Sequence, residues 1–489
     1  MRGLLTFFII IGVVFLPCLE TLSQEVEKDN ALPISVIDVR LIAANNNLEI
    51  KLARLDSEIK GTDLGYKEAV FDTLLKWEIG YTDDQRKRSS SISGSKSVTN
   101  DYNVGFDKKL KATGTDVEID LTNKREWTDS SFVSSNPYHD SQIEISLTQP
   151  IAKNFFGLID RGDIDVVKWE IKNAELDSYI KIEDAIILAE ESYWKLVLAR
   201  EDHGIKKEML KKAVRLFNQH RKKLKIGLVE TGDVLAAEAN MHIRKNDLLM
   251  ASNELKSTEE LLRVRLNLKN EIRLLPIDTL LDVDFNTSFI KSLETAFENR
   301  RDYTSKKNDI AAKKITLEMK SNSRLPEIDL NATFATNGIS SKYYRALSDV
   351  LEDSNPKYYI GIEFTYPLEN NEANSEYEAA TLEKTKAIIN LQKTEREIVS
   401  DIDEKFRKFS VNKVNISTMK RVKNLQEGKL LQEEKRFKYG RSNSDTLIRY
   451  QEDLLNAELA SQKAYFDYKI SILDLMNAED SFLKHTGLE

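Results

Sequence analysis

Few residues in this 489-residue chain are of the types that carry out covalent or metal chemistry. The 5 histidines are scattered without an HExxH pair, and there is no GxSxG motif and no Gly-rich phosphate loop. The only cysteine, Cys18, follows Pro17, where lipidation would need a small residue. Gly204 and Gly428 are isolated glycines in helical patterns. We therefore expect no enzyme, no cofactor and no metal site.

The N-terminus has the pattern of a secretory signal peptide. Met1-Arg2 supplies a positive charge, the segment from Leu4 to Leu16 is apolar, and Thr21-Leu22-Ser23 offers small residues for cleavage. We expect removal of residues 1–23, which leaves a mature chain without cysteine. An uncleaved anchor is the alternative, although the apolar segment is short for a membrane span.

The composition favours long helices. The chain has only 8 prolines and 18 glycines, so helix breakers are scarce. A mean hydropathy of −0.44 excludes a polytopic helical membrane protein, but not a transmembrane β-barrel, whose strands alternate in polarity. The net charge of −8 argues against a nucleic-acid partner.

Four segments alternate between apolar and polar residues and are predicted as strands: residues 74–83, 141–149, 327–336 and 357–366. In the first, Trp77 and Ile79 lie on one face and Glu78 and Gly80 on the other. This alternation suits a strand between lipid and a water-filled lumen. A half-buried strand in a soluble sandwich has the same pattern and is the alternative. Residues 101–122 form a possible extra hairpin, which either adds two strands or decorates the mouth of the barrel.

Long helical patterns follow each pair of strands. They extend from Pro150 to Gly227, 77 positions, and from Pro367 to Gly440, 73 positions. Helices of about 100 Å are stable only when packed side by side. Each glycine permits the tight reversal that an antiparallel helical hairpin requires. Shorter helices are predicted before the strands, at 34–69 and 288–322, and a polar loop is predicted between the strands of the second half. The order of elements therefore occurs twice, which we interpret as a duplication.

This order of strand pair and long helical hairpin, occurring twice, resembles that of TolC-like outer-membrane efflux proteins. The motifs that carry the resemblance are Gln149-Pro150-Ile151, Tyr366-Pro367-Leu368, Leu325-Pro326, Glu298-Asn299-Arg300-Arg301-Asp302, and the tips Gly227-Leu228-Val229 and Tyr439-Gly440-Arg441-Ser442. Two departures are that Arg301 stands where the family often has proline, and that the first half lacks a Leu-Pro before its strand.

The resemblance implies an α+β membrane protein with two tandem repeats, at residues 24–287 and 288–489. Each chain would form one third of a trimeric β-barrel in the outer membrane of a Gram-negative bacterium. The helices would continue the barrel through the periplasm as an α-helical barrel. Four predicted strands cannot close a barrel alone, so oligomerisation is also expected on physical grounds. The expected function is a passive channel of a tripartite efflux pump or a type I secretion system.

The resemblance also assigns candidate functional residues to the helical tips. A periplasmic adaptor, which joins the channel to an inner-membrane pump, would dock on six tip residues: Gly227, Leu228, Val229, Gly440, Arg441 and Ser442. Asp233, Asp445 and Arg449 lie just beyond the tips, and threefold symmetry would turn each into a ring of like charge that gates ions. The alternative for Asp445 is a helix N-cap, assisted by Ser442 and Ser444.

Three other classes of protein fit less well. A periplasmic adaptor would have one hairpin and a Gly-rich β-domain, and a porin would lack the long helices. A coiled-coil structural protein would lack the strand pattern. The alternative function retained is a periplasmic coiled-coil structural or adaptor protein.

Overall fold

The computed structural model describes residues 31–88, 92, 94–269, 272–281, 285–352 and 355–488. The predicted signal peptide, residues 1–23, lies outside the described residues. The strands are β1 Ala31–Ile34, β2 Thr73–Asp84, β3 Ser97–Lys109, β4 Asp116–Thr128, β5 Tyr138–Pro150, β6 Arg273–Pro276, β7 Glu327–Ser340 and β8 Pro356–Thr365. The helices are α1 Val36–Asn46, α2 Leu48–Glu68, α3 Leu158–Leu224, α4 Thr231–Arg265, α5 Phe289–Asn299, α6 Arg301–Asn322, α7 Tyr343–Leu351, α8 Asn371–Lys438, α9 Ser444–Ala478 and α10 Phe482–Thr486.

The long helices form two antiparallel hairpins, α3–α4 and α8–α9, which pack side by side through α3 and α9. The outgoing helices have 67 and 68 residues, and the returning helices have 35 each. At 1.5 Å per residue, each outgoing helix is about 100 Å long. No helix among the described residues combines the length and the apolarity that a membrane span requires.

The shorter helices come in matched pairs, and here the prediction of one continuous helix in each half was wrong. Helices α1 and α2 have 11 and 21 residues, and α5 and α6 have 11 and 22. Asn47 separates the first pair and Arg300 the second, and both have an extended ψ, 133° and 116°. The Asn47 side chain accepts hydrogen bonds from Glu49 N (2.7 Å) and Ile50 N (3.4 Å), so it caps the new helix.

Six strands form one antiparallel sheet in the order β2-β3-β4-β5-β7-β8. The two strands of the possible extra hairpin are β3 and β4, and they lie inside the sheet between β2 and β5. The chain therefore contributes six strands where the sequence had suggested four. The predicted polar loop between β7 and β8 contains α7, which packs on β5 and β7.

The main hydrophobic core lies where the shorter helices pack around the middle of α3 and the end of α9. Tyr193, Ile186 and Leu196 of α3 are at most 1% exposed and contact residues from α1, α9 and α10. The short parallel pair β1–β6 lies beside this core. The core therefore holds the two hairpins together at the level where α4 and α9 end.

Candidate functional site

The sheet has one apolar and one polar face across all six strands. Directly paired residues of neighbouring strands point to the same face of the sheet. Each row of paired residues across the strands therefore belongs to one face. One row joins Trp77, Val104, Leu121 and Ile143, and the neighbouring row on the other face joins Glu78, Asn103, Thr122 and Gln142. On the edge strands β2 and β8 the large side chains of the apolar face are uncovered, with Trp77 73% and Ile360 79% exposed. Near the middle of the sheet α7 covers part of this face, where its Tyr343 lines a pocket with Val104 and Leu121. A soluble protein seldom leaves so wide an apolar surface open.

The polar face is rich in carboxylates. It carries Glu78, Asp101, Asp107, Glu118, Asp120, Glu144, Asp329 and Glu363, and few lysines. Lys76 pairs with Asp107 on this face. The two faces therefore suit two different surroundings, one apolar and one aqueous.

Both hairpin tips have the same backbone design. Gly227 and Gly440 adopt positive φ of 65° and 69°, which places them at the left-handed position that ends a helix. The following amides donate back into the helix, from Leu228 N to Lys223 O (3.0 Å) and from Arg441 N to Arg436 O (2.9 Å). No described atom lies within 4 Å of the position that a β-carbon would take on either glycine. Glycine is therefore favoured at both positions by the positive φ and not by crowding from neighbouring atoms.

The six predicted docking residues differ in exposure. Gly227, Leu228, Gly440 and Arg441 are exposed, whereas Val229 and Ser442 are half-buried. The Ser442 hydroxyl donates to the buried carboxylate of Glu433. Ser442 therefore positions the turn, and the surface of the tips is formed by the other residues.

The three predicted gate residues also lie in different settings. Asp445 and Arg449 are exposed on the first turns of α9. The alternative role for Asp445 as N-cap was wrong, because Asn443 is the cap and accepts from Thr446 N at 2.9 Å. Asp233 is half-buried at the start of α4, where it accepts from Glu230 N at 3.3 Å. Asp233 is thus held by hydrogen bonds, whereas Arg449 lies over the ring of its neighbour Tyr450, 5.7 Å from the ring centroid.

A buried contact, which we name the tip clasp (His220, Asp233 and Ser444), joins the two hairpins. Ser444 Oγ donates to Asp233 Oδ1 at 3.1 Å and lies 3.2 Å from His220 Nε2. Since the serine has one hydrogen and the carboxylate only accepts, His220 Nε2 must carry a proton. His220 and Ser444 are 2% and 3% exposed.

The imidazole of His220 is neutral in this arrangement. Its Nδ1 is buried without a hydrogen-bond partner among the described residues, and the Phe437 ring lies 5.9 Å away. Burial lowers the pKa of His220 below 6.5. The negative charge of Asp233 opposes this shift, and the positive charge of Lys223 adds to it. Sequence reasoning missed His220, because a lone histidine seven residues before the tip glycine looks like any other helix residue.

Solved structures of outer-membrane channels match this fold over nearly the whole chain. The CmeC outer membrane channel of Campylobacter jejuni is 18% identical with a TM-score of 0.64, covering 91% of this chain and 85% of that one. A membrane protein of Pseudomonas aeruginosa is 13% identical with a TM-score of 0.70, covering 91% and 93%. The outer membrane protein VceC of Vibrio cholerae is 12% identical with a TM-score of 0.66, covering 91% and 96%.

The chain has the TolC-like outer-membrane channel fold. No protein-family model matches it, and no curated protein matches its sequence. The likeness is therefore one of architecture. No group of three or more His, Cys, Asp or Glu residues in the described part of the chain is arranged to hold a metal ion.

In this TolC-like fold, the departure at Arg301 has a structural role. Arg301 pairs with Glu183 (2.7 Å) and with Asp480, and its backbone N–H donates to Asp480 Oδ2 at 2.6 Å. A proline would have no N–H to donate. Glu183 is 1% exposed and also accepts from Phe482 N at 3.0 Å. Burial and the neighbouring Asp480 raise the pKa of Glu183. Arg301 thus ties the C-terminal segment to α3.

Proposed function

We propose that this protein is the outer-membrane channel of a tripartite efflux pump or a type I secretion system. Three copies form a passive duct that crosses the outer membrane of a Gram-negative bacterium and extends into the periplasm. The observation that carries the proposal is the six-stranded sheet with one apolar and one polar face, set at the base of two hairpins about 100 Å long. The apolar face contacts lipid and the polar face lines the lumen. The duct performs no covalent chemistry.

The two halves of the chain are tandem repeats that arose by duplication, residues 24–287 and 288–489. Supporting this, helices α1–α4 have counterparts of nearly the same lengths and in the same order in α5, α6, α8 and α9. Helices α7 and α10 occur in the second half only. The first repeat differs by the inserted hairpin β3–β4.

The hairpin tips dock the periplasmic adaptor, which connects the channel to the inner-membrane pump. Leu228 and Arg441 supply the exposed contacts, and Gly227 and Gly440 shape the turns. Asp445 and Arg449 are exposed and form the gating rings, while Asp233 acts in the tip clasp.

Fractionation and electrophoresis test the channel. We expect the full chain in the outer-membrane fraction, migrating as a trimer that dissociates on heating. Purified protein in planar bilayers should conduct ions. A chain found only in the soluble periplasm, without conductance, would refute the channel and favour an adaptor or coiled-coil structural protein.

A substitution at one tip tests docking. Gly440→Trp should abolish export while trimers remain in the membrane, because the tip has room for the ring but its surface changes. Gly440→Ala is the matched control, since it has the same positive φ of 69° but adds no ring to the surface of the tip. Normal export with Gly440→Trp would exclude this tip as a docking surface.

A further inference from the structure

The two edges of the sheet are available for pairing. Within the described residues, β2 and β8 have a partner on one side only. Unpaired backbone N–H and C=O groups cost several kcal/mol each in lipid, so a membrane sheet must close. In a six-stranded antiparallel sheet the first and last strands run in opposite directions. Strand β2 of one copy can therefore pair with β8 of the next and continue the antiparallel order around a ring.

The inserted hairpin is part of this wall. Each residue of β3 from Ser97 to Lys109 has a partner in β4, and β3 is paired along the whole length of β2. The apolar row passes through Val104 and Leu121 without interruption. A hairpin folded over the mouth of a barrel would have neither feature. Strands β3 and β4 therefore belong to the wall as β2 and β5 do.

We propose that the assembled channel has an 18-stranded barrel, six strands from each of three copies, which makes its membrane section unusually wide for the chain length. The inference rests on the proposed trimeric channel. With strands about 4.8 Å apart and tilted about 40°, eighteen strands close at a backbone diameter of about 36 Å, and twelve close at about 24 Å. Side chains reach about 5 Å inward, which leaves a lumen of about 26 Å. This lumen admits bulky hydrated solutes, including a polypeptide with secondary structure.

The helices give independent support for this width. Next to the sheet, helices α2, α3, α6 and α8 pack side by side. Four helices spaced 8–10 Å apart cover an arc of roughly 32–40 Å. Six tilted strands cover about 38 Å, whereas four would cover only about 25 Å. With six strands, the barrel and the helical wall have matching circumferences, so the duct continues from one to the other without narrowing.

Electron microscopy of the full chain in lipid nanodiscs tests the inference. We expect a ring with a backbone diameter of about 36 Å. The matched variant lacks residues 88–135, which removes β3 and β4 and joins β2 to β5, strands that already run antiparallel. Its ring should measure about 24 Å. If that variant fails to fold, the ring diameter of the unmodified protein still distinguishes 18 strands from twelve.

Native mass spectrometry of the same sample separates the two proposals. Three copies with a ring of about 24 Å would overturn the 18-stranded barrel and leave the proposed channel intact, because β3 and β4 would then lie outside the wall. Two copies, or no ring, would overturn the trimeric channel and with it this inference.

Discussion

Replacing Ser444 by alanine should loosen the contact between the two hairpin tips. Among the described residues, this hydroxyl contacts both His220 of α3 and Asp233 of α4 at the start of α9. Without it, the buried Nε2–H of His220 loses its acceptor, which costs about 1–3 kcal/mol. The ratio of tips in contact to tips apart should then fall about 5- to 150-fold.

Distances between the tips provide the assay. Leu228 and Tyr439 are 69% and 75% exposed, so spin labels on cysteines at these positions report the separation of the hairpins in the full-length channel. We expect Ser444→Ala to broaden the distance distribution and to increase the open time in planar bilayers. The control is His220→Phe with Ser444→Ala, which removes donor and acceptor together and should cost less than the single change. Unchanged distances and open times with Ser444→Ala would refute the reasoning.

The clasp should also weaken in acid. Because burial lowers the pKa of His220 in the folded state, the unfolded or opened state binds more protons below pH 6.5. The stabilisation is therefore complete above that pH and is lost as the pH falls towards the lowered pKa. His220→Phe should remove this part of the pH dependence of the tip distances. A wild-type distribution that is constant from pH 7.5 to about 5 would contradict the role of burial.

Three further predictions concern the tips, the membrane face and the core. Gly440→Ala should destabilise the protein by about 1–2 kcal/mol, because Gly440 has a positive φ. Gly428→Ala should be neutral or stabilising. Equal melting temperatures of the two variants would exclude conformational strain at Gly440. Ile119→Arg on the apolar face should cost about 2–4 kcal/mol in unfolding from lipid vesicles, because Ile119 is 41% exposed there. Asn103→Arg on the other face should cost very little, and equal costs would contradict the assignment of the faces. Arg301→Met should cost about 3–5 kcal/mol in urea unfolding, because it leaves the buried Glu183 without its cation; a cost below about 1 kcal/mol would refute that role.

The elements with strong local signals could be predicted from the sequence. Some features depend only on residues that are neighbours in the sequence, so their patterns were visible. These are the alternation along β2, β5, β7 and β8 and the tip glycines Gly227 and Gly440. The architecture was predicted for the same reason, since the order of the elements is characteristic of one fold. The breaks at Asn47 and Arg300 were missed, because each needs one residue with extended ψ and neither involves proline or glycine.

Contacts between distant segments could not be predicted. The tip clasp joins His220 to Ser444, 224 residues away, and no local pattern marks either residue. Likewise, Arg301 looked like a departure from a family motif, and only its pairing with Glu183 and Asp480 explains it. Helix α7 was hidden in a polar segment, since nine residues give too short a periodic pattern to stand out.

The contact of Phe482 with the core has a consequence for how the chain matures. Phe482 is 0% exposed, packs against Arg40 near the start of the described chain, and donates its amide to Glu183. The core that begins with β1 and α1 is therefore completed by a segment that is synthesised after both hairpins. A nascent chain cannot finish this core before α10 has been made, and a chain truncated before Phe482 leaves a buried carboxylate without one of its donors. The packing of the first helices thus depends on residues that leave the ribosome only after both long hairpins.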